Sequence, residues 1–431
     1  MSMQSGGLMH KFKSLMSTDS GSMTDSSTQV RAHRGDHWIL VDMILLLVIG
    51  VMLIYAISPA LADTTKVSGS YYVSHQLLAV FLAGIAFFIT AKVPLSTWRS
   101  YYKWLIMGAV LMTLVAIALP VNPSYPAHRW VRLGGLSFES VEMLIFAILI
   151  WFANFLHLRI KNGSIGNFKK TVKPLIIAIL LIAGVVAVIQ SDLGSTGVIV
   201  AMMGVMAFVA GLPIKKIVIL GAMMAGLTVI AIIIFPYRLA RLDTFLHPSA
   251  NCLTTGYQSC QALIAVGSGG ITGAGLGSGA QAYGYLPEAD NDSIFAIFAE
   301  KFGFIGTTLL LALFAALFYK IAQVAEGAPD DFSRLVVVGV LVWISVEMLI
   351  NVGAMIGLLP LKGITLPFIS YGGTSVVFFA AAMGLVYQVS RYTSYKGSRD
   401  IDKLNGKGFD DYSSHRRRVG GAYHPGIGNR E

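Results

Sequence analysis

Residues 283–296 read YGYLPEADNDSIFA. Three of the five residues 288–292 are acidic, and an apolar segment begins directly after them. An ionised group at the edge of hydrocarbon is costly and is usually kept for a task. One interpretation is helix capping, in which a side chain among residues 291–293 satisfies the first N–H groups of the next helix. The other is catalysis by the carboxylate of Asp292, and the local sequence leaves both open.

The composition around this stretch is that of a membrane protein. The chain has 431 residues, of which 55% are hydrophobic and 13% charged, and its mean hydropathy is +0.69. These values predict an all-α, polytopic integral membrane protein. The net charge of +10 does not indicate nucleic-acid binding, because the basic residues lie mostly in alternate loops and in the C-terminal tail.

Apolar segments long enough to cross a bilayer occur ten times, at ~20 residues per span. The predicted spans are 38–58, 75–93, 101–120, 138–158, 174–190, 194–212, 215–235, 293–319, 334–356 and 371–391. The predicted organisation is a disordered cytoplasmic tail at 1–37, a ten-helix membrane domain at 38–391 with a large extracytoplasmic loop at 236–292, and a basic cytoplasmic tail at 392–431.

The loops predicted to lie outside hold few basic residues, among them Arg129, Arg241 and Lys362. The positive-inside rule disfavours bases there, so each is a candidate contact for an anion. Lys362 lies within 357–375, where prolines and glycines break the helical pattern, and irregular backbone at membrane depth is tolerated where it lines a wet cavity. Snorkelling of long side chains to the interface is the alternative for Arg129 and Lys362.

Two further features lie close to the predicted outer surface. Glu142 stands just inside its span, where an acid usually faces the bundle interior and has a partner. Arg129 and Lys362 are both candidate partners, and a structural role for Glu142 stays open. Cys252 and Cys260 share the large outer loop, where they form either a local disulfide or two free thiols.

Residues 285–289 together with Asp292 resemble a signature stretch of the SEDS family, named for shape, elongation, division and sporulation. Further matching segments are Arg129-Trp130, 190–194, Tyr257-Gln258, the glycine run 267–279, Ala299-Glu300, 303–306 and 357–375. Segments 359–360, 362–363 and 365–371 look more like the cell-division branch of the family than its elongation branch. The resemblance implies a ten-helix bundle that polymerises lipid II into glycan strands together with a class B penicillin-binding protein.

The resemblance also implies roles for individual residues. It makes Asp292 the catalytic residue, and Arg129, Arg241 and Lys362 neighbours of the substrate or of a cation. Glu142 and Ser370, in the same regions, are predicted as further substrate-binding residues. A divalent cation, Mg²⁺ or Mn²⁺, is expected as the sole cofactor, with no organic group. The expected location is the bacterial inner membrane at the division septum, with other division proteins as partners.

The sequence departs from the family pattern near the predicted site. Asp290-Asn291 replaces the usual His-Thr before the aspartate, Lys301 replaces a common Glu, and Glu347 replaces a common Gln. These differences bear on the local electrostatics around Asp292 more than on membership of the family.

The mechanistic hypothesis is that Asp292 accepts the proton of a sugar 4-hydroxyl while nearby cations stabilise the departing undecaprenyl pyrophosphate. The alternatives are a lipid II flippase, a non-catalytic scaffold and a polymerase of the elongation type. Charges clustered toward one face and the lack of a clear repeat favour the enzyme over a transporter, whose site is expected near the midplane.

Overall fold

The computed structural model describes residues 29–32, 34–119, 130–133, 136–247 and 252–395, and this part of the chain is mostly helical. The helices are α1 His37–Thr65, α2 Tyr71–Lys92, α3 Leu95–Ser100, α4 Tyr102–Ala118, α5 Ser140–Lys161, α6 Phe168–Ile189, α7 Leu193–Val209, α8 Ile214–Ile234, α9 Pro236–Leu246, α10 Tyr257–Ser268, α11 Ile294–Glu326, α12 Asp331–Met355 and α13 Gly373–Ser390. The strands are β1 Gln29–Ala32, β2 Trp130–Leu133, β3 Leu136–Glu139 and β4 Tyr392–Tyr395.

The all-α membrane fold is confirmed, and the spans lie where the apolar pattern predicts them. Within the described ranges, 8 helices are long and apolar enough to cross a membrane. The other two predicted spans correspond to α4 and α7, which have 17 residues each. At ~1.5 Å per residue such helices reach about 26 Å, less than the ~30 Å hydrocarbon core. The number of ten spans therefore stays a prediction.

Three helices form the centre of the bundle. The most apolar windows of α5, α12 and α13 are 72%, 72% and 78% buried, whereas that of α8 is 11% buried. Because α8 presents most of its apolar surface outward, it lies at the periphery, where lipid would cover it. At the centre, the ring of Phe379 lies 5.5 Å from that of Trp343 and 5.6 Å from that of Phe368, tilted against both.

The first and the last described segments meet at one end of the bundle. Strand β1 pairs antiparallel with β4, and the main-chain nitrogen of Asp36 donates to Ser390 Oγ at 3.1 Å. Asp36 also caps α1 by accepting from the nitrogen of Trp38 at 3.0 Å. We call this the terminal end. Helix α13 begins at the opposite end, which we call the site end.

The large loop before α11 contains two helices, α9 and α10. Its glycine run docks against a break in α11 at Gly303, where φ is 62° and ψ is −162°. Nitrogens of the run pair with α11 oxygens, Ala274 with Glu300 at 2.9 Å and Gly275 with Lys301 at 3.0 Å. The break frees helical backbone groups, and the run satisfies them in a place where water would otherwise be needed.

Candidate active site

Asp292 lies at the end of a tight turn that leads into α11. The main-chain oxygen of Glu288, a residue with φ 51°, accepts from the nitrogens of Asn291 and Ser293, both at 3.0 Å. Ser293 Oγ donates to the oxygen of Pro287 at 2.8 Å. Ser293 is the N-cap residue of α11 but makes no side-chain cap bond. The hydroxyl of Ser293 thus stabilises the turn and does not bond to the first N–H groups of α11, which weakens the capping interpretation of this stretch.

The carboxylate of Asp292 is close to a loop glutamine. Gln258 Nε2 donates to Asp292 Oδ1 at 3.3 Å and to Ser293 Oγ at 3.1 Å. Asp292 is only 8% exposed, so its carboxylate is shielded from most of the solvent. Gln258 stands in the first turn of α10, and a disulfide joins Cys252 to Cys260 in that same turn, with Cα atoms 5.5 Å apart. The covalent link restrains the end of α10 that carries Gln258.

A second amide connects the Asp292 turn to the segment after α12. Asn351 Nδ2 donates to the main-chain oxygen of Asp292 at 2.8 Å and to that of Ile364 at 2.7 Å. Ile364 is two residues beyond Lys362. One buried side chain therefore fixes the predicted base and the predicted cation in the same part of the structure.

Ser370 links the same two segments through its hydroxyl. Its Oγ donates to the oxygen of Asn291 at 2.8 Å and accepts from the nitrogen of Leu366 at 2.7 Å. The nitrogen of Tyr371 adds a bond to the oxygen of Asp290 at 2.7 Å. With 2% exposure and both hydrogen-bonding capacities used, Ser370 holds the backbone around Asp292, and this geometry favours a structural role over the predicted contact with substrate.

The cations Lys362 and Arg241 lie together beside this junction. Arg241 donates to the oxygen of Leu361 at 3.3 Å. Burial lowers the pKa of Lys362, and the positive charges of Arg241 and Arg238 lower it further, while Asp192 opposes them. In the part of the chain that the structure describes, Lys362 Nζ has no hydrogen-bond partner. A half-buried ammonium among other cations is destabilised, and an anion placed there would relieve it.

Arg238 lies on α9 with Arg241 but has a different environment. Its guanidinium donates to the main-chain oxygens of Ala187 and Ala231 and lies over the ring of Phe235 at 4.5 Å. Burial lowers the pKa of Arg238. These contacts tie α9 to α6 and α8, so Arg238 anchors the helix that carries Arg241.

Glu142 lies deeper than the Asp292 turn. It is buried in the first turn of α5 and is close enough to Glu347 of α12 to interact with it electrostatically. Glu347 precedes Asn351 by one helical turn on the same face of α12. The structure thus places Glu142 beside a second buried acid, one helical turn below Asn351, and its contact with substrate stays a prediction.

Asp290 gives the turn a second carboxyl group, which is a weaker acid than an ordinary aspartate. Burial raises the pKa of Asp290 from 3.8 to about 6, and the nearby charge of Glu288 adds to the shift. Two negative groups close together at partial burial disfavour each other's ionised form.

Arg129 and the divalent cation are the remaining predictions for this site. Arg129 lies outside the described residues. Within those residues, no group of three or more His, Cys, Asp or Glu side chains is arranged to hold a metal ion. Sequence reasoning gave no role to Gln258 or Asn351, which hold Asp292 from two sides. The position of Gln258 in a matching segment was the available signal for that residue.

Comparison with known proteins identifies the family. Residues 37–395 match the family of cell cycle proteins FtsW, RodA and SpoVE. The chain belongs to this family. Together with its apolar helices, FtsW/RodA/SpoVE membership makes it a multi-pass membrane protein.

Several FtsW/RodA/SpoVE relatives are similar over most of their length. The stage V sporulation protein E of Bacillus subtilis is 37% identical over 362 residues, covering 84% of this chain and 98% of that protein. The probable peptidoglycan glycosyltransferase FtsW of Coxiella burnetii is 32% identical over 362 residues, covering 83% and 96%. That of Saccharophagus degradans is 35% identical over 369 residues, covering 83% and 92%.

Solved structures confirm the FtsW/RodA/SpoVE fold. A chain of a peptidoglycan synthase complex superposes with a TM-score of 0.67 at 23% identity, covering 84% of this chain and 99% of that one. The rod shape determining protein RodA of Thermus thermophilus gives 0.61 at 21% identity, covering 83% and 97%. At these identities the likeness establishes the fold alone.

Proposed function

We propose that this chain is a peptidoglycan glycosyltransferase that polymerises lipid II into glycan strands during septal cell-wall synthesis. The observation that carries the proposal is the junction at Asn351, which holds the Asp292 turn and the Lys362 segment together. A shielded carboxylate with half-buried cations in the same part of the structure is the arrangement that transfer from a pyrophosphate-linked sugar requires. Relatives named peptidoglycan glycosyltransferase support the same reaction class.

In the proposed reaction, Asp292 accepts the proton of the acceptor 4-hydroxyl. The resulting oxygen nucleophile attacks the anomeric carbon of the donor sugar, and the bond from that carbon to undecaprenyl pyrophosphate breaks. A glycosidase needs a second carboxyl group as an acid because its leaving group is an alkoxide. Pyrophosphate leaves as an anion whose charge Lys362 and Arg241 would neutralise, so one base suffices. In-line attack inverts the α-linked donor to a β-linked product.

The residues around Asp292 have supporting roles in this scheme. The Gln258 amide holds one oxygen of the carboxylate and so limits its rotation. Arg129 and Glu142 stay predicted contacts of the substrate, and Ser370 would act by holding the backbone around Asp292. A divalent cation would supply further neutralisation of the pyrophosphate when bound. Mg²⁺ is commonly held through substrate phosphates, so the pyrophosphate oxygens would be its main ligands and Asp292 would stay available as the base.

The proposal includes an orientation and partners. The site end faces the outside of the inner membrane and the terminal end faces the cytoplasm, because lipid-linked sugars are polymerised outside the cell. A class B penicillin-binding protein and other division proteins are the proposed partners at the septum. A similar fold within a peptidoglycan synthase complex supports a partnered enzyme.

The test is reconstitution of the purified full chain with lipid II, with and without a class B penicillin-binding protein. We expect glycan polymer on gels, and a loss of ~10²–10⁴-fold in rate for Asp292→Asn, the range that a general base contributes. Asp243→Asn is the matched control, because this acid lies in the same loop and its side chain is 60% exposed. Polymerisation by Asp292→Asn at the wild-type rate would refute the base assignment. Movement of lipid II across vesicles without product would instead identify a flippase.

A further inference from the structure

A cluster of aromatic rings lies at the site end, outside the groups used above. The rings of Tyr71 and Tyr72 meet edge to face at 5.5 Å, and those of Tyr72 and Tyr371 are 5.4 Å apart and tilted by 60°. His75 lies against Tyr71 at 4.1 Å. Tyr72 is 9% exposed and forms the base of the cluster, while Tyr71 is 37% exposed. Two segments far apart in the chain thus present aromatic faces at one place.

This cluster adjoins the Asp292 turn directly. The main-chain nitrogen of Tyr371 donates to the main-chain oxygen of Asp290 at 2.7 Å. Tyr371 is therefore bonded to the residue two positions before the predicted base, Asp292. Burial raises the pKa of Tyr371, and the Tyr71, Asp290 and Tyr72 side chains raise it further. The carboxyl groups of Asp290 and Glu288 are half-buried and lie within electrostatic reach of the rings.

Aromatic faces beside carboxylates are suited to sugars. The C–H face of a pyranose ring packs against the electron-rich face of an aromatic ring, and its hydroxyl and amide groups donate to carboxylate oxygens. Tyrosines of the interfacial belt are the structural alternative. Belt tyrosines are directed singly toward the headgroups, whereas these rings pack on one another around acids that lead to Asp292.

We propose that Tyr71 and Tyr371, packed on Tyr72 and flanked by Glu288 and Asp290, bind the sugar rings of the β-1,4-linked glycan strand. We call this set the tyrosine patch. The inference rests on the proposed glycosyltransferase function and adds the site that retains the strand between additions. A strand held by the patch stays close to Asp292 after each transfer, so the patch determines how many sugars are added before release.

Two measurements on the full chain test the patch. The first is binding of chitotetraose, a soluble β-1,4-linked tetramer of N-acetylglucosamine, by saturation-transfer NMR. The second is glycan strand length on gels at matched consumption of lipid II. The variants are Tyr71→Leu and Tyr371→Leu, with Tyr71→Phe and Tyr371→Phe as conservative partners that keep the ring. Tyr55→Leu is the control for a lipid-facing tyrosine, since Tyr55 is 70% exposed on α1 away from the patch.

We expect the leucine variants to weaken tetramer binding roughly two- to ten-fold, the range for loss of one aromatic contact, and to shorten strands at matched consumption. The phenylalanine variants and Tyr55→Leu retain both properties. Wild-type binding and strand length in both leucine variants would overturn the patch, as would equal shortening in Tyr55→Leu. A wild-type chain that polymerises without binding the tetramer also overturns it. If the proposed function is wrong, the wild-type chain makes no polymer. Tetramer binding is measured independently of polymerisation, so it still tests the patch in that case.

Discussion

Asn351 holds the main chain of Asp292 at 2.8 Å while the same nitrogen lies 2.7 Å from the oxygen of Ile364. The two acceptors belong to segments that the sequence separates by the whole of α11 and α12. The buried amide thus determines the spacing between the proposed base and Lys362.

Replacement of Asn351 by leucine tests this spacing. Leucine has the same branching and number of side-chain heavy atoms but donates nothing, so two buried oxygens lose their partner at a cost of about 1–3 kcal/mol each. We expect the variant to fold with reduced thermal stability and to polymerise lipid II on the order of 10²-fold more slowly, because misplacement by ~1 Å has that effect. Polymerisation rate and thermal midpoint are the measurements.

The matched control is Asn154→Leu, which removes a buried asparagine that accepts from Arg99 at 2.9 Å far from the site. It should lose stability without a comparable loss of rate. Equal loss of rate in the two variants would contradict a specific role for Asn351.

The comparison between sequence and structure shows which signals are local. The apolar pattern predicts the spans, and charges at the membrane edge single out Asp292 and Lys362, because both effects are encoded in short segments. Asn351 gives no such signal, since placing a neutral amide in an apolar helix costs less free energy than placing a charge there, and the residue therefore does not stand out in the sequence. The role of Ser370 depends on contacts with residues 79 positions away, which local sequence does not encode.

The glycine run at 267–279 makes a second contact that local sequence does not encode. Its composition does not reveal that the run pairs with a break in α11. The break needs a residue at positive φ, and only the fold shows that Gly303 supplies it.

Gly303→Ala tests that contact. A Cβ at this position would collide with the nitrogen of Gly273, and the backbone conformation is one that alanine rarely adopts. We expect a loss on the order of 3 kcal/mol or more, seen as a lower thermal midpoint and low polymerisation. Gly221→Ala, on the peripheral helix α8, is the control because nothing lies within 4 Å of its added Cβ. A wild-type midpoint for Gly303→Ala would show that the break is not required.

The disulfide should stabilise the loop that carries Gln258. Closing a loop of 8 residues is worth about 2–3 kcal/mol in the chain-entropy description. Thiol labelling of the denatured, unreduced protein should modify neither cysteine, and labelling after reduction should modify both. The Cys252→Ser, Cys260→Ser double variant should then show faster hydrogen exchange in α10 and slower polymerisation. Quantitative labelling without reduction would exclude the bridge.

Asp290 should make stability depend on pH. Because its pKa is raised to about 6 in the folded chain, the folded state binds this proton more tightly than the unfolded state does. Stability therefore decreases as pH rises from about 4 to about 6 and remains lower above that range.

Asp290→Asn removes the ionisable group and with it this dependence. At about pH 7.5 we expect the variant to be more stable by about 1–2 kcal/mol, less than the full shift implies because the carboxyl is partly exposed. At about pH 3, below the unfolded pKa of 3.8, the two proteins should be nearly equally stable, since the wild-type carboxyl is then mostly protonated in both states. Thermal midpoints in detergent across this pH range are the measurement, with Asp243→Asn as the exposed control. A stabilisation by Asp290→Asn that is equally large at both pH values would show that lost charge is not its cause.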